Sequence, residues 1–73
     1  MTEQQLIAEL KAALADAKEG ERVVSIHLFG IRFARELSGH NKERIAVAAG
    51  LGPSLKTEIS KGAKLAPYVT IKS

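Results

Sequence analysis

Seventy-three residues are enough for one small domain, and a chain of this length buries only about 60% of the surface it exposes when unfolded. The absence of cysteine excludes disulfides and thiolate metal sites, and no apolar run approaches the roughly 18 residues of a membrane span. The net charge of +3 is unevenly divided: residues 1–21 hold five carboxylates against two lysines, whereas residues 22–73 hold nine Lys and Arg against three carboxylates, a basic half that suits a polyanionic partner.

The N-terminal TEQQ lacks the basic-then-apolar pattern of a leader, so a soluble, cytoplasmic chain is expected. Thr2 and Gln5 form a T-x-x-Q capping box, with Glu3 beside the positive end of the helix it starts. Leu6, Ile7, Leu10, Ala13, Leu14 and Ala17 then recur at helical spacing, which predicts a helix over 3–18. That stripe can serve as core or as a dimer seam, core being the simpler reading. Glu19-Gly20-Glu21 is a short polar break, too short for a domain linker.

The next stretch, RVVSIHLFGIRFAREL, supports two apolar stripes, one through Val24, Leu28 and Ile31 and one through Ile26, Phe29, Phe33 and Leu37. A helix apolar on two sides is expected to lie buried between others, here over 23–37 with Gly39 as its stop. The β-branched run from Val23 leaves a short strand open as the alternative for 23–28. Gly30 costs such a helix about 1 kcal/mol relative to Ala, which is explained if it lets another helix approach closely.

Residues 41–62, NKERIAVAAGLGPSLKTEISKG, read as helix, sharp turn, helix. Asn41 is an N-cap, and Ile45, Ala46 and Ala49 share one face over 42–49. Gly50 tolerates the positive φ that ends a helix. Pro53 suits the first turn of a second helix over 53–61, in which Leu55 and Ile59 face one way and Gly62 makes the stop. This pattern resembles the helix-turn-helix of the phage-repressor type. The matching features are Ile45-Ala46, small Ala49, the turn Gly50-Leu51, and Ile59 followed by Lys61-Gly62. Lys56 stands where that motif usually carries a β-branched apolar residue, and Gly52-Pro53 where it usually carries a polar cap.

Past Gly62, Pro67 argues against simple helix continuation, and Tyr68 to Ile71 are good strand formers, so an extended or β tail is expected over 67–72. The phrase IHLFGIRFARELSG, the helix-turn-helix and the KLAPYV tail together look like small bacterial helix-turn-helix-like proteins, which implies a fold and no assigned activity. The expected class is therefore mainly α, a small helix-turn-helix bundle of about four helices with a short tail.

Little here points to catalysis or metal. His27 and His40 are too few for a zinc site. His27 reads as a core-edge side chain and His40 as an exposed turn residue. No phosphate loop, dinucleotide fingerprint or nucleophile elbow is present, and no enzyme activity or cofactor is expected. What remains is a basic surface. Lys42 and Arg44 flank the first motif helix, where a DNA-binding protein meets phosphate. Lys56, Thr57, Ser60 and Lys61 line the outer face of the second, and Ser54 stands at its start, near base edges in the usual docking. Glu58 on that surface would repel phosphate. Two functions stay open: a double-stranded-DNA-binding module acting as a homodimer, or a protein-interaction module on the same fold that binds no nucleic acid.

Overall fold

Thr2 starts the first helix as the capping box requires. Its hydroxyl accepts from the Gln5 N–H at 3.0 Å, and the Gln5 side chain accepts from the Thr2 N–H at 2.8 Å. The computed structural model describes residues 1–72. Helix α1 spans Glu3–Ala15, α2 Arg22–Arg32, α3 Ala34–Leu37, α4 Lys42–Ala48 and α5 Lys56–Leu65. A 3₁₀ turn, Pro53–Leu55, leads into α5, and another, Ala66–Tyr68, leaves it. The fold is a small all-α bundle with no strand among the described residues.

The turn between α4 and α5 shows how sequence dictates geometry. Asn41 caps α4 by accepting from the Arg44 N–H at 3.0 Å. At the other end Gly50 takes φ +91°, its N–H donating to Val47 at 3.0 Å, while the Leu51 N–H reaches back to Ala46 at 2.9 Å. These two bonds are the Schellman pattern, and its usual apolar contact is supplied by buried Leu51 and Ala46. Pro53 opens the following turn, where its missing N–H costs nothing.

The core is built from Leu6 and Leu10 of α1, Ile26 and Phe29 of α2, Leu37, Ile45 and Ala46 of α4, Leu51 and Ile59. The stripe of α1 is thus core, and a dimer seam through Leu6 and Leu10 is not available. Phe29 and Phe33 pack tilted, with ring centroids 5.3 Å apart. Helices α2 and α5 make the most extensive contact in the molecule. A Cβ at Gly30 would run into the carbonyl oxygen of Ile59 and lie 2.9 Å from the Ala63 nitrogen. A Cβ at Gly62 would run into the carbonyl oxygen of His27 and lie 3.0 Å from its Cα. Gly30 therefore does what its position inside a helix implied, and its counterpart is Gly62.

That counterpart corrects the expected stop. Gly62 lies within α5, which continues to Leu65, because its missing side chain is used for helix contact. Helix α1 ends at Ala15 rather than near residue 18, and the chain reverses through a turn closed by the Glu21 N–H on the Lys18 carbonyl at 2.9 Å. The helix expected over 23–37 begins at Arg22 and is interrupted at Phe33, whose φ of −111° and ψ of 23° separate α2 from α3. The strand alternative for 23–28 does not arise. Helix α2 is also not buried on two sides: Ile26 and Phe29 are in the core, but Val24 and Leu28 are 49% and 42% exposed. In the tail Pro67 and Tyr68 belong to a 3₁₀ turn, and the backbone becomes extended at Val69.

Candidate nucleic-acid interface

Helix α5 turns Ile59 and Gly62 into the protein, so at about 100° per residue its opposite face carries Thr57, Lys61 and Lys64, all exposed. Ser60 is half-buried beside them, and Ser54 is exposed in the 3₁₀ turn that leads into the helix. Four of the sequence candidates thus share one region. The other three do not. Lys56 reaches back across the motif to Glu43 of α4 at 3.0 Å. Arg44 faces α1 and pairs with Glu3 at 3.1 Å. Lys42, spaced three, four and seven residues before Ile45, Ala46 and Ala49, lies on the inner face of α4 and is half-buried.

Lys64 completes the outward row and was missed by reading Gly62 as a helix end. A signal was present: Gly30 required a small partner, and the strong helix formers Ala63, Lys64 and Leu65 follow Gly62 directly.

Glu58 is the one carboxylate of α5, half-buried at the flank of the outward row. Its Oε1 accepts from His27 Nε2 at 2.7 Å and its Oε2 from Lys61 Nζ at 3.3 Å. A carboxylate has no proton to give, so Nε2 carries the hydrogen. The His27 hydrogen bond, then that of Lys61, hold the Glu58 carboxyl below the ordinary carboxylate range. His27, read as a core-edge residue, ties α2 to α5. His40, half-buried rather than free in its turn, donates to the Met1 carbonyl at 3.1 Å.

Among the described residues no group of three or more His, Asp or Glu is placed to hold a metal ion, and no helix is long and apolar enough to cross a membrane. Two short helices joined by a glycine-led turn, on a small helical scaffold, define a helix-turn-helix-like domain. Comparison with known families agrees: the model of the HTH-like domain family matches residues 2–72, and the chain belongs to that family. No curated protein and no solved structure matches.

Proposed function

We propose that this domain binds double-stranded DNA by laying α5 in the major groove in the manner of phage-repressor motifs, as a homodimeric regulator or accessory protein. The observation that carries the reading is the outward row Thr57, Lys61 and Lys64, flanked by a single carboxylate, Glu58, which is shared between His27 and Lys61. Lysines on this row suit phosphates, and Thr57 and Ser54 suit base edges. Lys61 meets phosphate by exchanging Glu58 for it, and Lys56 and Arg44 add phosphate contacts by exchanging Glu43 and Glu3 in the same way. Exposed ion pairs contribute only about 0.2–1 kcal/mol each, so the exchange is cheap. Lys42 and Ser60, half-buried, contribute at the margin. The described molecule is 29 Å in its longest dimension, less than the roughly 34 Å between successive turns of one DNA face, so a single copy spans one half-site and useful affinity needs two.

A salt-dependent titration against duplex DNA tests this. Log affinity is expected to fall with log salt by about 0.9 per phosphate contact. Lys61→Ala weakens binding to every sequence and flattens the slope by about one contact, whereas Thr57→Ala shifts sequence preference more than affinity. A folded protein that binds no duplex at low salt overturns the proposal in favour of a protein-interaction module.

A further inference from the structure

The outward face of α2 carries an apolar stripe that the rest of the chain flanks but leaves about half exposed at Val24 and Leu28. Ile31 completes the row one turn on. The stripe ends in opposite charges. Glu21 and Arg35 stand seven residues to either side of Leu28, Glu21 as the N-cap of α2 and Arg35 in α3 just past its end. At the break the Phe33 N–H closes α2 on Phe29 at 3.0 Å and the Phe33 carbonyl opens α3 by accepting from the Leu37 N–H at 2.8 Å. Across that break Ile31 and Arg35 line one groove, with Ala66 and Pro67 on its other wall, and this places Arg35 at the end of the stripe. Glu21 and Arg35 are both exposed, and neither has a side-chain partner among the described residues.

We infer that a second copy of this chain covers the stripe, its α2 antiparallel to the first about a two-fold axis at Leu28; this rests on the homodimer proposed above and names its surface. Leu28 then meets Leu28 of the second copy, and Val24 packs beside Ile31 of that copy on both sides of the axis. Glu21 lies opposite Arg35 of the second copy, and by symmetry Arg35 opposite its Glu21. A parallel pair would set Glu21 on Glu21 and Arg35 on Arg35, so charge selects the antiparallel arrangement. Stable interfaces bury about 800 Å² per partner, a sixth of the 4890 Å² surface of this chain. A stripe of three side chains falls short of that, so the dimer is weak and its population depends on protein concentration.

Sedimentation equilibrium over a concentration series decides the matter, with folding checked by circular dichroism. Wild type is expected to dimerise and Leu28→Glu to stay a folded monomer. Glu21→Arg and Arg35→Glu alone each weaken the dimer by roughly two- to thirtyfold, since each disrupts two pairs, and the double swap restores it. Both charge positions are exposed, so these variants decide the case even if Leu28→Glu unfolds. A wild type that is monomeric at every concentration ends the homodimer reading itself. A dimer that survives Leu28→Glu, or single swaps without effect, ends only the assignment of this face.

Discussion

At Gly62 two effects of a methyl group oppose each other. In an ordinary helix interior Gly→Ala gains about 0.5–1 kcal/mol. Here the added Cβ meets the backbone of His27, which no rotamer change can move aside. Overpacking against a fixed neighbour costs about 1–3 kcal/mol, so Gly62→Ala is expected to lower stability in denaturant melts, while Gly52→Ala, which faces open space, leaves it nearly unchanged. A second residue-scale effect lies across the same crossing. The carboxyl of Glu58 is depressed by its bond from His27, so its contribution is present at neutral pH and is lost as acid protonates it, from the ordinary carboxylate range downward. His27→Ala is expected to raise the Glu58 pKa toward the ordinary value, seen by NMR titration of its carboxyl carbon, and to shift the acid unfolding midpoint upward.

Helix α4 has only seven residues and depends on its two ends. Removing the Asn41 acceptor leaves the Arg44 N–H to water, and Asn41→Ala is expected to cost about 1 kcal/mol in equilibrium unfolding. The opposite end constrains the backbone more tightly. Gly50 stands at φ +91°, where a β-branched side chain is strained, so Gly50→Val is expected to cost about 1–3 kcal/mol. A melting temperature unmoved by that change would show the turn can be closed another way. The two ends together set the angle at which α5 leaves the motif, and so which of its residues face outward.

For the molecule as a whole, the margin of a 73-residue domain lets one core side chain decide folding. Leu10 is fully buried between α1 and the rest of the core. Leu10→Ala is expected to cost about 2–5 kcal/mol, and Leu10→Glu to abolish the cooperative thermal transition. A folded, monomeric Leu10→Glu protein would mean that α1 is a seam between copies. The contrast with Leu28 is one of position: both lie in apolar helical stripes, but only one stripe has another helix over it.

Features that arise within a few residues are legible from neighbouring positions: the Thr2-Gln5 capping box, the Asn41 cap, the Gly50 turn, Pro53 at the start of the second motif helix, and the core roles of Leu6, Leu10, Ile45 and Ile59. Such features depend on local hydrogen bonds and on the helical period, both of which are written in neighbouring positions. Contacts between residues far apart in the chain become visible only once the helices are packed. Gly62 reads as a helix stop until the backbone of His27, thirty-five residues earlier, is seen to occupy the space of its side chain. Val24 and Leu28 read as core until the other helices are found to cover only the far side of α2. Lys56 and Glu58 read as one face of the second motif helix, and Arg44 as a phosphate contact beside the first, until each finds a partner on another element, because charge pairing follows distance in space and not in sequence.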